Sequence, residues 1–278
     1  MRTIFFGATD LGYQCCERLL DRGENIVGLF TIPREFRISY SPTQPVKNVL
    51  FRDLHQLADR HGIPLVEVTG KMDEYIGKVA ELHPDLIVVI GWYYMVPRRM
   101  RELASKGCVG VHASLLPRYR GGAPLVWAMI NGEPEAGVTL FHFADGIDDG
   151  DIIAQQSFPI ESTDTIREVL DKATRASIEI VETYLPRLAE GTAPRTAQDH
   201  SRATVLPQRS PDDGLIDWAW DPVRINNFIR AQTKPYPGAF TYIGGKRVTI
   251  WSADVTPEPV AGIVASMKAE ETPSSNAR

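Results

Sequence analysis

Short, almost continuous apolar runs alternate with segments of helical periodicity along the first part of the chain. The apolar runs are Thr3–Phe6, Asn25–Phe30, Pro64–Val68, Pro84–Ile90, Cys108–His112 and Thr139–Phe143. Helical spacing is found in Leu11–Arg22, Val46–His61, Met72–Leu82 and Ile166–Leu188. Strands that are apolar throughout are typical of a parallel sheet covered by helices on both faces. The pattern predicts a Rossmann-like α/β domain over residues 1–190, with ligands bound at the carboxyl ends of its strands.

The pattern changes after residue 190. Residues 191–207 are rich in Thr, Pro and Arg and are predicted to form a linker. Two β-like stretches follow, Phe240–Ile243 and Arg247–Trp251, and two glycines lie between them. They predict a small β-rich domain over residues 208–278. A length of 278 residues fits two domains, at roughly 150 residues per domain.

Composition narrows the class of protein. Hydrophobic residues make up 43% and charged residues 23% of the chain, which excludes a disordered protein. The formal net charge of −5 argues against a strongly basic nucleic-acid binder. Cys15, Cys16 and Cys108 have no metal-ligand spacing and indicate reduced thiols in a cytoplasmic protein. No window approaches 18 apolar residues, so we expect no membrane span.

The segment FFGATDLG, at the end of the first predicted strand, partly resembles a dinucleotide-binding fingerprint. It contains Gly7 and Gly12 but lacks the full GxGxxG pattern. A partial match of this kind is weak. We interpret it as a tight turn from strand to helix.

Candidate chemistry is concentrated between residues 107 and 151. His112 ends a predicted strand, and the acidic loop Asp145–Asp151 follows the next one. If the two strands are parallel neighbours, their ends meet at one edge of the sheet, and His112 comes within reach of an Asp. Such a pair moves protons or stabilises an oxyanion. A structural histidine and a solvated acidic turn remain the alternatives, and DGIDDGD lacks the full calcium-loop pattern.

Three motifs carry a resemblance to a known family. The blocks HASLLPRYRGGAP, VWAMINGE and GIDDGDII are similar to those of the 10-formyltetrahydrofolate-dependent formyltransferases. That family includes methionyl-tRNA formyltransferase, the amino-sugar N-formyltransferases and the hydrolase domain of formyltetrahydrofolate dehydrogenase. The resemblance extends over most of the chain. It implies a truncated, OB-like form for the C-terminal domain.

The resemblance also implies roles for individual residues. His112 matches the family histidine, and Asp148, 36 positions later, matches its catalytic aspartate. The implied formyl donor is 10-formyltetrahydrofolate, and no metal is implied. The residues expected to bind this co-substrate are Ser114, Leu115, Leu116 and Pro117 in the SLLP segment, with Gly91, Trp92 and Met95 after the PDLIVVI strand.

One position departs from the family pattern. Gly110 stands where the family usually has an asparagine, so the amide that polarises the formyl oxygen is missing. The chain is then a transferase that uses another donor or a water, a hydrolase, or an altered member that only binds folate. We favour the transferase because the rest of the motif is intact. On sequence alone, Gly110→Asn is expected to raise turnover.

The acceptor is the remaining question. The loop after the second strand carries only Arg34, Arg37 and Lys47 as cations, and the C-terminal domain is short. Binding to a nucleic acid at physiological salt needs more phosphate contacts than that. A small amine, in particular a nucleotide-linked amino sugar, is favoured over tRNA. A homodimer formed through the second domain is left open.

Overall fold

The structure, a computed structural model, describes residues 1–38 and 41–256. Its strands are β1 (Thr3–Phe6), β2 (Ile26–Thr31), β3 (Glu35–Ile38), β4 (Ser41–Lys47), β5 (Leu65–Glu67), β6 (Leu86–Ile90), β7 (Cys108–His112), β8 (Arg120–Gly121), β9 (Glu135–His142), β10 (Ile152–Pro159), β11 (Val205–Leu206), β12 (Ala239–Ile243) and β13 (Lys246–Ile250). Its helices are α1 (Asp10–Asp21), α2 (His55–His61), α3 (Ile76–Glu81), α4 (Arg98–Arg101), α5 (Pro124–Ile130), α6 (Ile166–Glu190) and α7 (Pro222–Gln232).

A seven-stranded sheet forms the centre of the protein, in the order β10-β9-β7-β6-β1-β2-β5. The five strands from β7 to β5 are parallel, whereas β9 is antiparallel to both of its neighbours. Separate apolar clusters include alternate residues of the central strands, Phe5 and Val88 in one and Phe6 and Val89 in the other. The predicted α/β, Rossmann-like class is therefore confirmed. No helix of the described residues is both long and apolar enough to cross a membrane.

The predicted helix Val46–His61 is wrong over its first half. β4 continues to Lys47 as part of a β3–β4 hairpin, and α2 begins only at His55. The buried side chain of Asn48 explains the break, because its amide donates to the carbonyl of Ala8 at 2.8 Å and its oxygen accepts from the backbone N–H of Leu50 at 3.0 Å. Side-chain bonds of this kind compete with helix formation.

The C-terminal part packs onto the large core. Phe228 and Ile229 of α7 and Ala239 of β12 are buried in the same apolar cluster as residues of α5 and α6. The predicted β stretches form the antiparallel hairpin β12–β13, whereas the helix α7 was not predicted. Asp221 caps α7 through its side chain, and Pro222 occupies the first turn, which is a recognisable start signal. Residues 257–278 lie outside the described part of the chain, so the OB-like form stays a prediction.

The turn at FFGATDLG has the predicted form. β1 ends at Phe6 and α1 begins at Asp10, with Thr9 Oγ1 accepting the N–H of Gly12 at 3.3 Å. A Cβ atom on Gly12 would collide with the carbonyl oxygen of Ile90 at the end of β6. Glycine is therefore required here for close packing of α1 against the sheet.

We predict that Gly12→Ala destabilises the protein by about 1–3 kcal/mol, because the added methyl group meets rigid backbone. Urea unfolding measures the loss. Gly77→Ala is the control, since Gly77 lies in α3 with no atom within 4 Å of an added Cβ. Equal stability of both variants would contradict the steric argument.

Candidate active site

His112 and Asp148 lie together, although not for the reason that the sequence suggested. β9 runs antiparallel to β7, with His142 opposite Val109, so the acidic loop leaves β9 at the amino end of β7. The backbone N–H of Phe143 donates to the carbonyl of Cys108 there, at 2.8 Å. The loop then returns to the other end of β7, where Asp148 Oδ2 is 3.5 Å from Nδ1 of His112. The expected parallel arrangement was wrong, and the expected contact is present.

A hydrogen bond at Nε2, the second ring nitrogen of His112, fixes the tautomer of the imidazole. Nε2 lies 2.8 Å from the carbonyl oxygen of Tyr119, which can only accept a hydrogen bond. Nε2 therefore carries a proton and donates it to Tyr119. Nδ1 is the nitrogen left to exchange a proton, and it faces the Asp148 carboxylate. The side chain of His112 is 11% exposed, which shields this pair from most of the solvent.

The residue that supplies this carbonyl, Tyr119, is held in place by two hydrogen bonds of its own N–H and hydroxyl groups. Tyr119 has a φ of 59°, which is uncommon for a residue other than glycine. Its N–H donates to Thr204 Oγ1 at 2.7 Å and its hydroxyl to Glu133 at 2.6 Å. Burial and the bond to Glu133 raise the pKa of Tyr119, so the hydroxyl stays protonated at neutral pH.

Asp148 is fixed through its backbone and its carboxylate. It also adopts a left-handed φ, 48°. Oδ2 accepts the N–H of Gly121 at 2.9 Å, and the backbone carbonyl accepts Nε2 of Gln198 at 2.9 Å. Gln198 belongs to the segment predicted as a linker, residues 191–207. That segment is part of the site, since its strand β11 pairs with β8 and places Leu206 opposite Gly121.

The space beside Gly110 is filled by Phe143. A Cβ atom at position 110 would lie 2.5 Å from Cε1 of Phe143 and 2.6 Å from the carbonyl oxygen of Val89. The ring of Phe143 stacks on Phe141, with 5.1 Å between ring centroids. The structure therefore argues against a simple gain of turnover from Gly110→Asn, because the side chain has no room beside β7.

The SLLP segment begins at Ser114, two residues after His112, and two of its residues are used in building the loop. Ser114 is buried and donates from Oγ to the carbonyl of Arg118 at 2.7 Å. Leu116 is buried, and its N–H donates to Thr139 Oγ1 at 3.1 Å. That Ser114, Leu115, Leu116 and Pro117 bind folate stays a prediction.

The other predicted binding residues follow β6. Gly91 has a φ of 65° and lies against Thr9, where a Cβ would collide with the threonine hydroxyl. Trp92 packs edge-on against Phe6, with 5.2 Å between ring centroids, and Met95 is 64% exposed. Their role in binding the co-substrate also stays a prediction.

Two buried polar atoms in the segments around the site have no hydrogen-bond partner in the described part of the chain. They are Nε1 of Trp92, after β6, and Oδ1 of Asp149, the neighbour of Asp148. A buried donor and a buried acceptor without partners are expensive unless a ligand or water satisfies them. Trp92 was expected to bind the co-substrate, whereas Asp149 was not singled out as a binding residue.

Thiol chemistry does not fit this site. Cys108 begins β7 and is buried, and burial raises the pKa of its thiol strongly. A nucleophilic cysteine needs a lowered pKa.

His142, at the end of β9, has its pKa lowered by burial and by Arg195. The geometry is that of an α/β enzyme with a histidine–carboxylate pair at the carboxyl end of a central strand.

Comparison with known proteins identifies the family. The model of the formyl transferase family matches residues 12–184, and that of the formyl transferase C-terminal domain matches residues 209–270. The chain therefore belongs to the formyl transferase family. It is an enzyme that transfers a formyl group, with 10-formyltetrahydrofolate as the donor.

Relatives in sequence and in structure carry different names. Methionyl-tRNA formyltransferase of Geotalea uraniireducens is 36% identical over 252 residues, which are 90% of this chain and 78% of the relative. The N-formyltransferase of Helicobacter canadensis, solved with folinic acid and dTDP-3-aminofucose, has a TM-score of 0.72 at 20% identity, over 93% of this chain and 89% of that one. Methionyl-tRNA formyltransferase of Clostridium thermocellum has a TM-score of 0.64 at 22% identity, over 92% and 94%. The solved structures support the fold alone.

We predict that Gly110→Asn lowers stability by about 1–3 kcal/mol, as overpacking of a filled site does. Urea unfolding and turnover are measured together. Phe143→Leu in the same chain should restore part of the stability, since the smaller side chain can move away from position 110. An asparagine variant with unchanged stability and faster turnover would show that the space is available after all.

Proposed function

We propose that the protein is an N-formyltransferase whose acceptor is the amino group of a nucleotide-linked sugar, with His112 and Asp148 as its catalytic pair. The choice of acceptor depends on one observation above all: most of the described cations of the C-terminal part contact aromatic rings or backbone carbonyls of the protein itself. The choice of catalytic pair depends on the geometry around His112 Nδ1.

The catalytic roles follow from the two ring nitrogens of His112. The acceptor amine attacks the formyl carbon on N10 of the donor, and the formyl oxygen becomes an oxyanion. Nδ1 takes the proton that the attacking nitrogen loses, and Asp148 stabilises the imidazolium. His112 then protonates N10, the bond from carbon to N10 breaks, and the formamide and tetrahydrofolate leave. Nε2 stays bonded to Tyr119 throughout, which keeps the ring oriented.

The two unsatisfied polar atoms have hydrogen-bonding capacities that a pterin ring can meet. A pterin ring offers both N–H groups and a carbonyl. The Oδ1 atom of Asp149 accepts hydrogen bonds and Nε1 of Trp92 donates one, so both are suited to such a ring. This match supports Trp92 as a binding residue and adds Asp149 to the prediction.

The charge of the C-terminal part argues for a small acceptor. Eight Lys or Arg and eight Asp or Glu follow Pro207. Cations lie over aromatic rings in four pairs, with distances to the ring centroid of 4.7 Å for Arg209 and Trp127, 4.4 Å for Arg224 and Trp220, 5.1 Å for Lys234 and Trp251, and 3.7 Å for Arg247 and Phe240. Nη1 of Arg230 donates to the carbonyl of Asp164 at 2.9 Å. Cations placed in this way offer little to a phosphate backbone.

Methionyl-tRNA is the second candidate acceptor. Relatives at 34–36% identity are named methionyl-tRNA formyltransferases, and the chain covers 78–80% of the length of two of them. Sequence likeness therefore favours tRNA, whereas the charge distribution favours a sugar. A direct comparison of the acceptors decides between them.

We expect formylation of nucleotide-linked amino sugars, supplied as a panel with 10-formyltetrahydrofolate, and none of initiator methionyl-tRNA. Formylated product and tetrahydrofolate are measured at low and at physiological salt. Turnover with tRNA that falls steeply with salt would overturn the choice of acceptor. Release of tetrahydrofolate without any acceptor would indicate a hydrolase, and tight folate binding without release would indicate a binding module.

His112→Asn and Asp148→Asn should each lower kcat by about 10²–10⁴-fold, the range for loss of a general acid–base group. The measurement is single-turnover formyl transfer to the best acceptor. Asp145→Asn is the matched control from the same loop, since Asp145 is largely exposed and pairs with Arg101 at 2.5 Å, away from His112. Near-normal turnover of the His112 and Asp148 variants would remove the pair from the mechanism.

A further inference from the structure

The side chain of Gln198 lies between the two loops that carry the catalytic pair. It is buried, with 4% of its surface exposed. Its Nε2 donates to the carbonyls of Asp148 at 2.9 Å and Gly150 at 2.7 Å. Its Oε1 accepts from Nε and Nη2 of Arg120, at 3.1 and 2.6 Å. All four of the hydrogen bonds that an amide side chain can make are therefore formed.

Together with a bond from Gly121, these bonds connect the loop after His112 to both the carboxylate and the backbone of Asp148. Arg120 precedes Gly121, whose N–H donates to Oδ2 of Asp148. Gln198 connects the side chain of Arg120 to the backbone of Asp148 itself. The loop after His112 therefore holds the carboxylate of Asp148, and the segment after α6 holds its backbone.

The backbone of Asp148 needs such support. Its φ of 48° is a conformation that an aspartate adopts at a cost of order 1–3 kcal/mol, and it persists only where the surroundings enforce it. The orientation of this peptide determines where the carboxylate points. Released from Gln198, the loop can relax and carry Oδ2 away from Nδ1 of His112.

We propose that Gln198 is a positioning residue that holds the Asp148 carboxylate against His112 for formyl transfer. The proposal rests on the proposed catalytic role of the His112–Asp148 pair. Gln198 acts through backbone carbonyls and Arg120, so its effect is on the rate of the chemical step rather than on binding of the formyl donor.

Gln198→Glu tests this with the smallest change in shape. The carboxylate still accepts from Arg120, as a buried ion pair, but it cannot donate to the carbonyls of Asp148 and Gly150. We expect kcat to fall about 10–100-fold, as a small misplacement of a catalytic group does, with KM for 10-formyltetrahydrofolate within about twofold of the parent. Near-normal kcat in this variant overturns the proposal.

Arg195→Ala is the matched control from the same segment. Arg195 pairs with Asp151 at 2.6 Å, three residues after Asp148, and its side chain is 65% exposed. Its loss weakens a neighbouring contact between the same segment and the same loop. We expect kcat within about twofold of the parent. A loss equal to that of Gln198→Glu would show that any loosening of this segment suffices, and would overturn the specific role of Gln198.

A double-mutant cycle with Asp148→Asn separates positioning from general damage. If Gln198 acts through Asp148, adding Gln198→Glu to Asp148→Asn costs little further kcat. If the glutamate merely unfolds part of the protein, its fold-loss multiplies with that of Asp148→Asn, and the proposal fails. Normal turnover of Asp148→Asn alone would instead refute the proposed catalytic pair.

Discussion

The antiparallel pairing of β9 with β7 is the constraint on which the site depends. Because of this pairing, the chain leaves β9 beside Cys108, at the opposite end of β7 from His112. The loop that follows must return over one face of β7 before β10 can begin at Ile152. Its first residue, Phe143, therefore covers Gly110, and its sixth, Asp148, reaches His112. One choice of strand direction thus determines both the apolar and the acidic contact of the site.

In the proposed mechanism, the glycine at position 110 affects how the oxyanion on the formyl group is stabilised. Gly110 has no side-chain donor, and the ring of Phe143 occupies the space where a side chain at this position would begin. Charge that develops on the formyl oxygen has to be met by groups elsewhere in the site. In the proposed mechanism an imidazolium at His112, with Asp148 beside it, supplies a positive charge. On that proposal we expect the pair to contribute more to stabilising the oxyanion than it would with an amide donor at position 110.

The sequence predicted the elements whose signal is local. Cys108–His112 was predicted with the correct ends because its apolar run is short and most of the strand is buried, and His112 was singled out because it ends that run. The same reasoning failed over Val46–His61, where Val46, Leu50, Leu54 and Leu57 happen to follow helical spacing. There the hydrogen bonds between the Asn48 side chain and the backbone of Ala8 and Leu50 compete with helix formation. The direction of β9 was also predicted wrongly, since an apolar run gives no information on whether a strand lies parallel or antiparallel to its neighbour.

The positioning contacts could not be predicted because their partners are far apart in the chain. Gln198 is 50 residues from Asp148 and 78 from Arg120, in a stretch whose Thr and Pro content suggests a flexible connection. Composition indicates how flexible a segment is by itself. Here the amide group of Gln198 forms hydrogen bonds with two loops that are distant in the sequence. A connection that makes these bonds cannot loosen without disturbing the carboxylate at His112. The segment that leads to the C-terminal part is for this reason hydrogen-bonded to the loops that carry His112 and Asp148. We expect a change in this segment to alter the candidate site, and a change in the site to alter the segment.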